Sequence, residues 1–197
     1  MSQKTLIFLP GVLSDQRVWS YQTHHLQDLV QCQSIPLVGG DTTEALLQEI
    51  LNRVDGDFFL AGHSMGGWLA LELARRVPER ILKLCLLNTS AQSDSQEKHQ
   101  KRMAMLQMVE QGNFQEVART LADFYVVDEL VKKEVYSMFL SVGQQAFIAQ
   151  QKILLAREEC RSFLPSLTMP TLVIHARQDN NFWRFMRNYA IAFLMLN

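Results

Sequence analysis

The stretch that decides the fold is Phe-Phe-Leu-Ala-Gly-His-Ser-Met-Gly-Gly, residues 58–67. Its first four residues, 58–61, predict a buried strand, and a helical pattern follows the last two glycines. Between them, Gly62 and Gly66 stand two residues to either side of Ser64. A strand, a very tight turn with small residues around a serine, and a helix are the parts of a nucleophile elbow. A chance Gly-x-Ser-x-Gly is the alternative, and it leaves the flanking strand and helix unexplained.

The rest of the chain predicts an α/β fold with a mostly parallel sheet. Apolar runs that are continuous rather than alternating predict strands buried on both faces. Their alternation with helical patterns implies right-handed crossovers and helices on both faces of the sheet. The predicted strands are residues 5–9, 29–35, 58–61, 82–87 and 171–176, and the predicted helices between them are residues 43–53, capped by Thr42 or Thr43, and 66–77.

A helical segment interrupts this alternation. Residues 92–165 are rich in Gln, Glu, Lys, Met and Leu at helical spacing, and a strand pattern returns only after them. The sequence therefore predicts a core formed by residues 1–91 and 166–197, with a helical cap insertion at 92–165. The insertion is interpreted either as a lid over a site or as a plain helical excursion, and long insertions often cover active sites.

Composition and charge exclude several classes of protein. Hydrophobic residues make up 48% and charged residues 20%, with a net charge of −1, which predicts one soluble globular domain that binds neither nucleic acid nor an anionic membrane. No apolar run approaches the roughly 20 residues of a membrane span, and the N-terminus lacks a signal-peptide core, so we expect no membrane span and a cytoplasmic location. Cys32, Cys85 and Cys160 are far apart, which predicts buried free thiols. No metal site or cofactor is indicated, and the oligomeric state is open.

The elbow at residues 62–67 resembles that of the α/β-hydrolase superfamily, in the branch of small esterases, lactonases and haloperoxidase-like enzymes. Residues 6–12, Leu-Ile-Phe-Leu-Pro-Gly-Val, resemble the strand and oxyanion loop of this family, with Pro10 where the family commonly has a histidine. Residues 169–179 resemble the strand and turn that deliver the triad acid. The similarity covers about residues 4–180, with the helical segment matching as an insertion.

This resemblance implies a serine hydrolase that acts on a small carboxylic ester, thioester or lactone. Ser64 is then the nucleophile, and Asp179 is the acid of the triad. The backbone N–H groups of Val12 and Met65 are expected to form the oxyanion hole. A solvated turn residue is the alternative reading of Asp179. The expected partner is a small ester-like molecule.

In this family the base is a histidine that follows the acid by one more helix and strand, and no histidine follows Asp179. His175 lies in the strand before the acid, and His63 adjoins the nucleophile, so we predict structural roles for both. The remaining histidines are expected at the surface: His24, His25 and His99. The pattern indicates a shortened or altered C-terminus that lacks the final strand and helix, with impaired activity. A non-catalytic protein that binds a small ligand and a truncated remnant are the alternatives.

Overall fold

Five parallel strands form one sheet in the computed structural model, which describes residues 4–175. They are β1 (Thr5–Leu9), β2 (Gln31–Ser34), β3 (Phe58–His63), β4 (Ile81–Leu87) and β5 (Thr171–Ile174). Their order across the sheet is β2, β1, β3, β4, β5, and every neighbouring pair is parallel. The α/β class and the parallel sheet predicted from the sequence are confirmed, with strand ends that differ by one or two residues.

Seven α-helices accompany the sheet within residues 4–175, and four of them follow one another between β4 and β5. They are α1 (Ser20–Leu26), α2 (Thr43–Asn52), α3 (Met65–Arg76), α4 (Gln96–Glu110), α5 (Phe114–Tyr125), α6 (Glu129–Val142) and α7 (Gln144–Leu155). Short 3₁₀ turns lie at Gln16–Trp19, Pro78–Arg80 and Arg161–Ser166. No helix in this part of the chain is long and apolar enough to cross a membrane.

Helix α1 was not predicted, because its seven residues contain too few apolar positions for a helical period. Helix α4 begins at Gln96, seven residues before the apolar pattern at helical spacing that runs from Met103 to Val109. The Ser95 hydroxyl caps α4 by accepting a hydrogen bond from the amide of Lys98 at 3.3 Å, and the first turns that follow are polar and mostly exposed. The cap of α2 is Thr42, one of the two predicted candidates, and its Oγ1 accepts from the amide of Ala45 at 3.2 Å.

Side chains cover both faces of the sheet, as the alternation of strands and helices predicts. On one face, α2 and α3 pack on the strands around the fully buried Trp68. On the other face, Trp19 and Leu26 pack over Phe8 and Ala61, and the rings of Phe8 and Trp19 stack with centroids 4.6 Å apart. Both layers therefore fix the position of β1 and β3, the two strands that lead into the elbow and its neighbouring loop.

Helices α4–α7 form a helical segment with a hydrophobic core of its own. Its buried members are Val109, Phe114, Val117, Ala118, Leu121, Ala122, Met138, Phe139 and Phe147. One residue from outside the segment joins them: Leu13, from the loop after β1, is completely buried in this cluster. The loop after β1 is thus packed into the helical segment as well as into the sheet.

A buried ion cluster connects the two ends of the helical segment. The carboxylate of Asp94, which precedes α4, accepts from Arg102 at 2.5 Å and from Arg157, which follows α7, at 2.7 Å. The side chains of Asp94 and Arg157 are 4% and 8% exposed. Burial, opposed by the attraction of Asp94, lowers the pKa of Arg157. Nearby, the amide of Cys160 donates to the carbonyl of Ala91 at 2.7 Å. The segment before α4 and the segment after α7 therefore lie side by side.

The three cysteines are free, as predicted. Cys160 is fully buried, and its thiol donates to the carboxylate of Glu72 on α3 at 3.0 Å. Burial first, and then the Glu72 carboxylate, raise the pKa of Cys160 to about 12. Cys32 and Cys85 are half-buried rather than buried, because they face the more thinly covered side of the sheet. Burial raises the pKa of Cys85 to about 11, so few of these thiols are nucleophilic thiolates at neutral pH.

We expect Asp94→Ala to lower the free energy of unfolding by about 3–5 kcal/mol, because it leaves the buried Arg157 and the partly buried Arg102 without their carboxylate. Urea denaturation followed by tryptophan fluorescence measures this loss. The matched control is Glu97→Ala, which removes an exposed partner of Lys101 and should leave the transition almost unchanged. Equal urea midpoints for the two variants would contradict a structural role for the cluster.

Candidate active site

The turn between β3 and α3 holds Ser64 in a rare backbone conformation. The strand ends at His63 and the helix begins at Met65, so Ser64 alone makes the turn, with φ 53° and ψ −116°. A positive φ is strained for a residue with a Cβ. The Ser64 amide donates to the carbonyl of Leu87 at 3.0 Å, and its carbonyl accepts from the amide of Gly67 at 3.1 Å. A strained serine between a parallel strand and a helix has the geometry of a nucleophile elbow.

Two glycines allow the backbone segments around this turn to pack closely. A Cβ on Gly62 would overlap the carbonyl oxygen of Gly66. A Cβ on Gly66 would in turn overlap the carbonyl oxygen of Leu9 and lie 2.5 Å from that of Pro10. These obstacles are backbone atoms, which cannot swing aside as the end of a flexible side chain can. The start of α3 therefore lies directly against the end of β1.

Thr89 supports the elbow and was missed in the sequence. Its Oγ1 donates to the carbonyl oxygen of Ser64 at 2.6 Å. Its side chain also packs against the third glycine, because a Cβ on Gly67 would lie 2.5 Å from the Thr89 Cβ. A usable signal existed, since Thr89 stands two residues after β4, and the carboxyl ends of parallel strands meet at one edge of a sheet.

The loop after β1 lies beside the Ser64 side chain. A Cβ on Gly11 would be 3.4 Å from the Ser64 Cβ, so the Gly11 backbone borders the serine. Val12 follows Gly11 directly. Met65 is the first residue of α3, where an amide N–H has no partner within its own helix and the helix dipole is positive. The structure thus brings Ser64, Met65 and the loop that carries Val12 into one neighbourhood, and the Met65 N–H at the positive end of α3 is suited to an anion formed there.

Asp179, the predicted triad acid, lies outside the described residues. Its position relative to Ser64 is therefore still a prediction. Three of the histidines are exposed, in agreement with the prediction: His24 and His25 on α1, and His99 on α4.

The two other histidines lie nearer the carboxyl edge of the sheet. The His63 ring borders the loop after β1, with Nδ1 3.1 Å from the position that a Cβ on Gly11 would take. His175 directly follows β5. Within residues 4–175, no group of three His, Cys, Asp or Glu side chains could hold a metal ion.

A cavity of about 780 Å³ opens between the loops after β1 and β2 on one side and helices α6 and α7 on the other. Ser64 does not line it. The loop after β1 borders Ser64 through Gly11 and the cavity through Ser14 and Asp15, so it separates the elbow from the cavity. Burial raises the pKa of Asp15, but hydrogen bonds from Arg17 outweigh that effect and lower it, which keeps the Asp15 carboxylate ionised at neutral pH. Most other lining residues are small or apolar, including Pro36, Val38, Ala45, Val142, Ala146 and Ala149.

Comparison with known families agrees with this geometry. Residues 31–184 match the family model described as serine aminopeptidase, S33, which is more than half of the chain. The chain belongs to this α/β-hydrolase family. The resemblance that the elbow carries and the fold class inferred from it are confirmed.

Similar proteins include esterases and a lactonase. Over 97 residues, this α/β-hydrolase is 33% identical to a pimeloyl-[acyl-carrier protein] methyl ester esterase of Aromatoleum aromaticum, an alignment that covers 46% of this chain and 39% of the relative. The match thus spans about two fifths of that curated relative's length.

Solved structures show the same fold over most of the hydrolase. A thermophilic esterase from Thermogutta terrifontis superposes with a TM-score of 0.77 at 24% identity, covering 87% of this chain and 71% of that one. The enol-lactonase from Burkholderia xenovorans LB400 superposes with a TM-score of 0.78 at 19% identity, covering 89% and 73%. At these identities the likeness establishes the fold alone.

We expect Gly66→Ala to destabilise the hydrolase by about 3 kcal/mol, because the new methyl group meets the backbone carbonyls of Leu9 and Pro10. Gly112→Ala is the control: φ is 90° at Gly112 and no atom lies within 4 Å of an added Cβ, so only backbone strain of about 1 kcal/mol is expected. Urea unfolding compares the two. Equal losses would show that the close contact at Gly66 relaxes at no cost.

Proposed function

We propose that this α/β-hydrolase hydrolyses a small carboxylic ester, thioester or lactone through an acyl-enzyme on Ser64. The observation that carries the proposal is the strained Ser64 at the N-terminus of α3, beside the backbone of Gly11. Strained backbone is retained at functional sites where it orients a reactive group. Here the strained conformation places Ser64 in the turn between β3 and α3, outside the regular backbone of either element.

The proposed reaction has two stages. The Ser64 hydroxyl oxygen attacks the substrate carbonyl carbon while its proton passes to a base, and the carbonyl oxygen becomes an oxyanion. The amides of Val12 and Met65 donate hydrogen bonds to that oxyanion, which forms at the positive end of the α3 dipole. The tetrahedral intermediate then breaks its bond to the leaving oxygen or sulfur, which takes the proton back from the base; in a lactone this group stays attached to the acyl part. Water then gives a proton to the base and attacks the acyl-enzyme, and the acid leaves as the proton returns to the Ser64 oxygen. Asp179 is proposed to orient the base.

The substrate class is proposed from the relatives, because the cavity between the two loops and helices α6 and α7 does not include Ser64. The curated relative is named for a methyl ester and one structural neighbour for an enol-lactone, and both bonds are attacked at a carbonyl carbon.

A second candidate is a hydrolase relative that binds a small apolar ligand without turnover. One observation favours it: Ser64 does not line the cavity between the loops after β1 and β2 and helices α6 and α7. Ligand binding that survives Ser64→Ala, in a chain that hydrolyses no ester, supports this candidate over the enzyme.

We expect the purified 197-residue chain to hydrolyse p-nitrophenyl butyrate slowly, because oxyanion stabilisation and binding alone retain roughly 10³–10⁴-fold acceleration in serine hydrolases that lack a triad member. Without its base the serine is a weak nucleophile, so Ser64→Ala is expected to lower this residual rate only slightly. The matched control is Ser90→Ala, a serine beyond the next strand whose hydroxyl accepts from the amide of Gln92. A large loss of rate in Ser64→Ala but not in Ser90→Ala would show that another base serves and would contradict the prediction of impaired activity. In a version extended to carry the family's C-terminal histidine, Ser64→Ala should remove the gain in rate, and an undiminished rate there would contradict Ser64 as the nucleophile.

A second arm identifies the base. A version extended by a C-terminal segment from a related esterase, including its histidine, is expected to turn over about 10²–10⁴ times faster, and replacement of that histidine by alanine should remove the gain. If the unaltered chain is already as fast as the extended one, His63→Ala and His175→Ala determine which ring takes the proton, and the prediction of impaired activity is wrong.

A further inference from the structure

One side chain of the helical segment reaches the loop beside Ser64. Gln150 lies on α7 and is almost completely buried. Its Oε1 accepts from the amide of Leu13 at 2.9 Å, and its Nε2 donates to the carbonyl of Leu37 at 2.8 Å. A single amide thus connects α7 to the loops that follow β1 and β2.

Leu13 is the residue of the loop after β1 whose backbone conformation is least favourable. Its φ is 54°, a conformation that is strained for a side chain as bulky as leucine. The turn closes through a bond from the Ser14 amide to the Gly11 carbonyl at 3.2 Å, so Val12 and Leu13 are its two central residues. The helical segment holds Leu13 twice, through its buried side chain and through its amide.

We propose that Gln150 is a positioning residue, which holds Leu13 in its strained conformation and thereby aims the Val12 amide at the oxyanion on Ser64. The inference rests on the proposed function. The helical segment is then part of the catalytic geometry, in addition to any role as a cover of the cavity.

The chemistry of the contact requires an amide. Leu13 offers a donor and Leu37 an acceptor, and the glutamine side chain satisfies both groups at once. A leucine at the same position fills the volume and leaves both buried backbone groups without partners, which releases the loop to other conformations. The oxyanion exists only after attack begins. A misdirected Val12 amide therefore raises the free energy of the transition state and leaves the affinity for substrate unchanged.

The neighbouring Gln151 provides a matched control. It stands on the same helix, is equally buried, and accepts from Arg102 at 3.0 Å rather than contacting the loop. Ester hydrolysis by Gln150→Leu is expected to show kcat lower by about 10- to 100-fold with KM within about 3-fold, whereas Gln151→Leu keeps kcat within about 3-fold. If the two variants lose kcat equally, or if Gln150→Leu raises KM instead, the contact is only structural and the proposal is wrong.

A second measurement is independent of turnover. Native-state hydrogen exchange of the Leu13 amide should be faster by about 10-fold or more in Gln150→Leu and unchanged in Gln151→Leu. If no form of the chain hydrolyses an ester, the proposed function fails, and the exchange of Leu13 decides alone whether Gln150 holds the loop. Unaltered exchange in Gln150→Leu overturns the inference whatever the activity.

Discussion

The backbone contact between Gly66 and the carbonyl groups that end β1 sets the geometry of the carboxyl edge. It brings the first turn of α3 against β1 and leaves one residue, Ser64, to join strand to helix. The positive φ of that residue costs about 1–3 kcal/mol. Four hydrogen bonds join its backbone to Leu87, Gly67, Trp68 and Thr89. Each is worth about 0.5–1.5 kcal/mol, and together they are sufficient to offset the strain.

The register of the sheet places the carboxyl ends of three strands beside the elbow. Leu9 pairs with Gly62, and His63 pairs with Leu87, so β1, β3 and β4 end at nearly the same level. The loops that follow these strands therefore surround Ser64. The buried ion cluster at Asp94 joins the start of the helical segment to its end. The chain therefore leaves the sheet after β4 and re-enters it at the neighbouring strand, β5.

Local sequence was sufficient to predict the parts of the fold that depend on neighbours in the chain. The elbow combines a strand pattern, two obligatory glycines and a helix within ten residues, and all three act locally. Gln150 and Asp94 could not be found in this way, because their roles depend on partners that are distant in the chain, and a glutamine on a helix is usually a solvated residue. Helix α1 could not be predicted from its sequence because packing on Phe8 and Ala61, rather than an apolar periodicity, stabilises it.

Leu13 belongs to two parts of the molecule. Its backbone belongs to the loop beside Ser64, while its side chain completes the hydrophobic core of α4–α7. Exchange of the four helices between related hydrolases would consequently remove the pocket that this leucine fills. The transferable unit is the four helices together with residues 11–15, and substitutions in the two stretches are expected to have accumulated in step during divergence of the family.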